Sequence, residues 1–292
     1  GGVSMSSKLK IAVQKSGRLF TESLTLLRAA DLNFPEGKSN ALLSCQINNF
    51  PAELLFLRDD DIPQYVRDGI ADAGIVGLNV VAESETRVQV ADTLNFGRCR
   101  LSLAVPKESE IQTVEDLSGK RIATSHPNIL NNFLRIRRIE SEVVTLSGSV
   151  ELGPSLGIAD AIFDIVSSGG TLIANNLREI GKVMDSQAVL IANPNLDEER
   201  QKLLAVIKLR LKSVRNALRH KYVALNAPDS ARDRILEILP GDRKPTILSL
   251  TKPGWCAIHT ALPAEELWEK IEALQAAGAE EIVVSQIEQL FI

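Results

Sequence analysis

Asp164 stands three residues ahead of the run Ser167-Ser168-Gly169-Gly170-Thr171, and the apolar stretch Ala161-Ile162-Phe163 leads into it. Two adjacent glycines let a backbone curl so that several N–H groups point inward. The two serines and the threonine add hydroxyl donors. A helix starting at Leu172 would contribute the partial positive charge of its N-terminus. These groups suit a phosphate monoester, and a carboxylate just upstream can accept hydrogen bonds from the vicinal hydroxyls of a sugar. Asp160, Asp164, Ser167, Ser168, Gly169, Gly170 and Thr171 are therefore candidates for holding a ribose 5-phosphate. No lysine follows the glycines, so this is not the GxxxxGK[ST] loop of nucleoside triphosphatases. A plain turn capping a helix uses the same residue types, and an acid at a strand entrance is often solvated or a cap.

Other residues invite weaker readings. Gln14-Lys15-Ser16-Gly17-Arg18 follows a first strand, where Lys15 and Arg18 can hold a second anion or simply be solvated. Arg98 and Arg100 flank Cys99, and Lys120 and Arg121 open a later strand. Arg135, Arg137 and Arg138 read mainly as a solvated helix face. His126, His220 and His259 are too scattered for a metal site, and Cys45, Cys99 and Cys256 form no CxxC pair. Reduced thiols of a cytoplasmic protein are the simplest reading.

Composition narrows the classes. The 292 residues allow two or three domains, with 45% apolar and 24% charged residues as in ordinary globular chains. A net charge of −4 and only 4% aromatics argue against a nucleic-acid partner. No apolar run approaches the ~20 residues of a membrane span, and no apolar signal core opens the chain. Gly1-Gly2-Val3-Ser4 before Met5 resembles an expression scar.

Strands alternate with helices from Leu9 onward, which implies an α/β architecture with a largely parallel sheet. Strands are expected at 9–13, 42–47, 52–57 and 71–76, then at 100–105, 121–124, 142–146 and 189–192; a short helix is expected over Val150 to Leu156. Gly69-Ile70-Ala71-Asp72-Ala73 recurs as Gly157-Ile158-Ala159-Asp160-Ala161. The echo reads as two similar lobes that present strand ends to a shared cleft, or as a generic strand entry. A basic helix over Leu196 to His220 precedes a βαββαβ order, that of a small ferredoxin-like domain.

In order along nearly the whole chain, several segments together resemble the long form of the ATP phosphoribosyltransferase family. They are Gln14-Lys15-Ser16-Gly17-Arg18-Leu19, Arg58-Asp59-Asp60-Asp61-Ile62-Pro63, Gly74-Ile75-Val76-Gly77, Cys99-Arg100-Leu101-Ser102-Leu103-Ala104, Lys120-Arg121-Ile122-Ala123-Thr124-Ser125, Gly148-Ser149-Val150-Glu151 and Asp160 to Thr171, continued by Asn175-Asn176-Leu177-Arg178-Glu179. Leu78, Arg98, Ile173 and Asn176 depart from that pattern.

The resemblance implies a two-lobed, periplasmic-binding-protein-like core. Lobe I would hold 5–97 and 187–217, lobe II 98–186, and a histidine-binding regulatory domain 218–292. It implies condensation of ATP with 5-phosphoribosyl 1-diphosphate to N1-(5-phosphoribosyl)-ATP and pyrophosphate, the first step of L-histidine biosynthesis. It also implies Mg²⁺ carried by the substrate pyrophosphate, and inhibition by L-histidine. A cytoplasmic homo-oligomer is expected, a hexamer in equilibrium with a dimer, with no membrane and no synthetase-like partner subunit. Asp164, Glu151 and Arg100 would be catalytic; Lys15, Gly17, Arg18, Gly77 and Arg121 would meet ATP; Asn226, Thr246, Ala279 and Ser285 would meet histidine. A solute-binding protein and a noncatalytic regulatory subunit are the rival readings.

Overall fold

The computed structural model describes residues 7–36, 43–241 and 243–292. In chain order the first part forms β1 (Leu9–Gln14), α1 (Phe20–Ala29), β2 (Ser44–Gln46), β3 (Ala52–Leu57), α2 (Ile62–Arg67), β4 (Ala73–Gly77), α3 (Leu78–Ser84) and β5 (Gln89–Thr93). Then come β6 (Cys99–Pro106), β7 (Arg121–Thr124), α4 (Pro127–Arg137), β8 (Glu142–Thr145), β9 (Ala161–Val166), α5 (Gly170–Ala174), β10 (Leu177–Ser186), β11 (Ala188–Ala192) and α6 (Glu198–Leu218). The last part forms β12 (His220–Pro228), α7 (Arg232–Ile238), β13 (Thr246–Ser249), β14 (Trp255–Pro263), α8 (Leu267–Ala276) and β15 (Glu280–Gln286). Leu42, expected to open a strand, and the segment Gly1 to Ser4 lie outside the described residues.

The chain divides into two compact units. One comprises residues through Arg28 with Leu32–Leu204, the other Ala29–Asp31 with Ala205–Ile292, so the border falls inside α6. The first unit carries two sheets, β2-β3-β1-β4-β11-β5 and β10-β6-β9-β7-β8. Neither is largely parallel. β1 runs parallel to β3 and β4, and β7 parallel to β8 and β9; the other pairings in both sheets are antiparallel. The antiparallel pairings beside β4 and β9 involve the strands next to the two crossovers between sheets, β5 to β6 and β10 to β11. β4 and β11 are buried along their whole length, which accounts for their uninterrupted apolar sequences.

The five-residue echo has a structural counterpart. β4 lies beside β1 as β9 lies beside β7. Asp72 gives its N–H to the Lys10 carbonyl (2.8 Å) and takes the Lys10 N–H on its carboxylate (2.8 Å). Asp160 does the same with Arg121, at 2.9 Å in both bonds. The repeated aspartate thus pins the entry of a strand to the start of its parallel neighbour, at the edge opposite the loops that follow the strands.

Two strands and one helix depart from expectation. β5 and β10 were not anticipated. Val150 to Leu156 forms one tight turn, Val150–Leu152, because Pro154 cannot continue a helix. The crossovers are tied together: Asn95 N–H donates to the Gln187 side chain (3.0 Å) and Ala188 N–H to the Phe96 carbonyl (2.9 Å). Gly97 between them has φ +61°, and an added Cβ would lie 2.2 Å from a methyl of Leu19, so a side chain there would be strained and would have to displace Leu19.

In the second unit the sheet order is β13-β14-β12-β15, every pairing antiparallel. One face packs Val223, Leu225, Ile258 and Leu262 against Ile235 of α7 and Leu274 of α8. The expected βαββαβ plan is present. Among the described residues no helix is long and apolar enough to cross a membrane.

Candidate active site

β9 alternates its side chains between the two faces of its sheet. Ile162 and Val166 join a core cluster on one face, and Asp164, between them in the alternation, points to that side. Past Val166 the chain turns through Ser167, Ser168 and Gly169 into α5. Gly169 holds φ +83°, a left-handed conformation that glycine adopts without strain. The helix therefore starts at Gly170, two residues before Leu172, where the sequence placed it. The first-turn amides of such a helix lack intrahelical acceptors and face whatever sits over the loop.

A cavity of about 100 Å³ opens there, lined by Glu151, Asp164, Ser167, Ser168, Gly169, Gly170 and Thr171 with apolar neighbours. It is well below the ~300 Å³ of pockets that enclose whole drug-sized ligands, and suits one phosphate with the edge of its sugar. Glu151 enters from the Val150–Leu152 turn, whose preceding residue Ser149 holds φ +52°. Asp164 takes a 2.8 Å hydrogen bond from the Ile165 amide, the one protein donor to its carboxylate among the described residues. Burial pushes the Asp164 carboxyl above the ordinary range, and Glu151 nearby adds to the rise, while the Ile165 amide opposes it.

Asp160 is not part of this cavity. Its carboxylate accepts the Arg121 amide and meets the Arg121 guanidinium at 3.4 Å, and these bonds hold its carboxyl below the usual range. Asp160, a candidate for the ribose 5-phosphate, clamps a strand entry here. Arg121, grouped by the sequence with the other ATP candidates, ends its fork on Asp160 and the Gly157 carbonyl (3.0 Å). Those candidates do gather. Lys15, Gly17 and Arg18 follow β1, Gly77 ends β4, and an added Cβ at Gly77 would lie 3.8 Å from the Arg18 guanidinium. Arg18 itself donates to the Gly97 carbonyl at 2.6 Å.

Arg100, expected to be catalytic, is engaged by protein. Its Nε and Nη2 donate to the two oxygens of Glu179 at 2.8 and 2.7 Å, and the Ser102 hydroxyl donates to the same carboxylate at 2.6 Å. Hydrogen bonding to Arg100 lowers the Glu179 carboxyl below its usual range, with Ser102 assisting. Sequence reasoning missed Glu179 and Ser102 as site neighbours. They are 77 residues apart and meet only because β10 pairs with β6.

In the second unit, register sorts the four histidine candidates. Tyr222 pairs with both Ala261 and Ser285, and Thr246 with His259, which pairs with Ala224. Asn226, Thr246 and Ser285 therefore share the sheet face away from α7 and α8. Asn226 donates to Glu281 at 2.6 Å. Ala279 belongs to the core on the helix side and is not brought together with the other three side chains.

Comparison with known proteins adds the following. Residues 58–213 match the family ATP phosphoribosyltransferase, and 217–289 match the family described as HisG, C-terminal domain. The chain is 46% identical over 284 residues to the ATP phosphoribosyltransferase of Bacteroides thetaiotaomicron, covering 97% of this chain and 100% of that one. It is 45% identical over 286 residues to that of Cytophaga hutchinsonii, covering 98% and 99%. Among solved structures it is similar to the Thermotoga maritima ATP phosphoribosyl transferase (HisG:HisZ) complex. That match has a TM-score of 0.60 and 28% identity, and covers 70% of this chain and 96% of that one.

Proposed function

Because the chain belongs to the ATP phosphoribosyltransferase family, we propose that it joins ATP to 5-phosphoribosyl 1-diphosphate, forming N1-(5-phosphoribosyl)-ATP and pyrophosphate at the start of L-histidine biosynthesis. The observation that carries this reading is the Asp164 carboxylate beside the loop Ser167 to Thr171, with Glu151 over the same cavity. The loop amides and hydroxyls take the 5-phosphate. Asp164, with a single protein donor, takes the ribose hydroxyls. Adenine N1 attacks the ribose C1 as pyrophosphate leaves, through a transition state with oxocarbenium character. Catalysis of such a step rests on orienting two anions and balancing the departing charge, with no covalent protein intermediate. Lys15 and Arg18, beside Gly77, are the cations for the ATP phosphates.

The donor set fits a hard divalent cation that arrives with substrate. Among the described residues no cluster of three or more His, Cys, Asp or Glu gathers to hold a metal alone, while Glu151 and Asp164 supply oxygen donors beside the phosphate loop. Mg²⁺ bound chiefly through pyrophosphate oxygens would neutralise the leaving group. The second unit, matched to the family's C-terminal domain, serves as the L-histidine site through the face bearing Asn226, Thr246 and Ser285. The active assembly is a cytoplasmic homo-oligomer, a hexamer exchanging with a dimer, that needs no synthetase-like subunit.

The test mixes the full chain with Mg²⁺, ATP and phosphoribosyl diphosphate and follows pyrophosphate release, with and without L-histidine. Release that histidine suppresses is expected. No release with any combination would sink the transferase reading, and release indifferent to histidine would remove the regulatory part alone.

A further inference from the structure

The helices α3 and α4 serve different sheets of the first unit. Leu78, Val80 and Val81 of α3 pack against the core of the first sheet, and Leu130 and Leu134 of α4 against that of the second. Yet the end of α3 meets the start of α4, and each end is completed by the other. The Glu83 carboxylate takes the Asn128 and Ile129 amides on its two oxygens, at 2.9 Å each. Both amides lie in the first turn of α4, where no intrahelical carbonyl satisfies them. His126, in the cap position of α4, offers them no side-chain bond. The Asn128 side chain in turn donates at 3.0 Å to the Glu83 carbonyl, an orphan acceptor of the last turn of α3. A glutamate in that turn faces the negative end of its own helix dipole, and Glu85 and Asp60 repel it further. The positive end of a helix from the other sheet is what compensates it. One turn back along α3, Asn79 is 2% exposed; its Oδ1 takes the Ser186 hydroxyl at 2.9 Å, and its Nδ2 lies 3.4 Å from Nε2 of His126.

We propose that Glu83 is a positioning residue: the reciprocal clasp it forms with Asn128 sets the angle between the two sheets, and with it the separation of the two halves of the site. Each helix is tied to one half. α3 starts directly after Gly77, beside the Arg18 guanidinium. Leu130 and Leu134 of α4 share a core cluster with Phe163, the neighbour of Asp164 in β9. The crossovers join the sheets by two chain segments, and the clasp adds a tie between elements that the chain does not connect directly. When one bound substrate attacks another, a displacement of about 1 Å costs up to about 10²-fold in rate. Releasing the clasp therefore slows transfer while each half-site keeps its own ligand contacts.

The inference rests on the proposed transfer between two substrates held on different sheets. Its test uses full-length wild type, E83A, N128A and E83A/N128A and makes two measurements. One is the single-turnover rate of pyrophosphate formation, with enzyme in excess over phosphoribosyl diphosphate and ATP and Mg²⁺ saturating. The other is the Kd of phosphoribosyl diphosphate with Mg²⁺, by calorimetry without ATP. In E83A the single-turnover rate falls at least about tenfold while Kd stays within about twofold of wild type. N128A lowers the rate in the same direction, and the double variant falls no further than E83A within about twofold, because the bonds close one clasp. If E83A does not fold, E83Q, which loses one acceptor, carries the same comparison. A rate in E83A within about twofold of wild type overturns the proposal, even with a lowered melting temperature, since Glu83 would then only stabilise α4. A Kd that weakens in step with the rate overturns it too, because Glu83 would be acting inside one half-site. So does a double variant whose loss is the product of the single losses. No pyrophosphate from wild type would instead sink the transferase reading on which the inference rests.

Discussion

Asp160, just before β9, and Asp164, within it, lie four residues apart, and they have been put to opposite uses. Asp160 is consumed by protein. It accepts the Arg121 amide, meets its guanidinium, and is held below the ordinary carboxyl range by those bonds. Asp164 has one backbone donor and is pushed up by burial and by Glu151. The difference teaches that an acid available for a ligand is recognised by what the fold leaves unspent. Asp72 in the first sheet repeats the Asp160 arrangement, which marks the clamp as a property of the strand entry. Nothing at the end of β4 repeats the loop after β9, where two serines, two glycines and a threonine gather.

Variants can break or sharpen that contrast. The largest effect is expected for D164A: loss of two charge-assisted hydrogen bonds to ribose, at about 1.5–3 kcal/mol each, should cut kcat/KM for phosphoribosyl diphosphate at least about 10²-fold. D160A should leave kcat/KM per folded molecule within about twofold, because its partners are structural. G169A comes next. Forcing a Cβ into φ +83° costs about 1–2 kcal/mol and tilts the phosphate loop, so KM should rise about tenfold with a smaller change in kcat. Third, D160A should lose about 1–2 kcal/mol of stability, read as a fall in melting temperature of about 2–8 °C.

The smallest effect concerns pH, and here the two acids differ in sign. A carboxyl lowered on folding stabilises above its unfolded value, near 3.9, and loses that contribution as pH falls through its folded value. The melting difference between wild type and D160N should therefore shrink below about pH 4. A carboxyl raised on folding works the other way. Its ionisation destabilises as pH rises through the window above the unfolded value, so D164N should melt at or slightly above wild type at neutral pH. A D164N that melts well below wild type would make Asp164 a second clamp and erase the distinction.

Much of the fold was legible because buried parallel strands such as β4 and β9 are short apolar runs bounded by glycine and loops. β5 was hidden by the polar composition of an exposed edge strand. β10 was hidden by its charges, by Gly181, and by two register shifts that break the two-residue alternation. Missing β10 had a consequence for the site. Without that strand nothing brought Glu179 to Arg100, so Arg100 read as an open catalytic cation. The phosphate loop was legible because its parts are contiguous. The true state of Asp160 and Arg121 was not, since they are 39 residues apart and meet only through the parallel pairing of β7 and β9.

Titration calorimetry of phosphoribosyl diphosphate with Mg²⁺, without ATP, onto wild type, D160N and D164N tests the central distinction most directly. Wild type and D160N should bind with equal affinity and D164N at least about tenfold more weakly, as for one lost charged hydrogen bond. Undiminished binding by D164N, or a loss confined to D160N, would contradict the account.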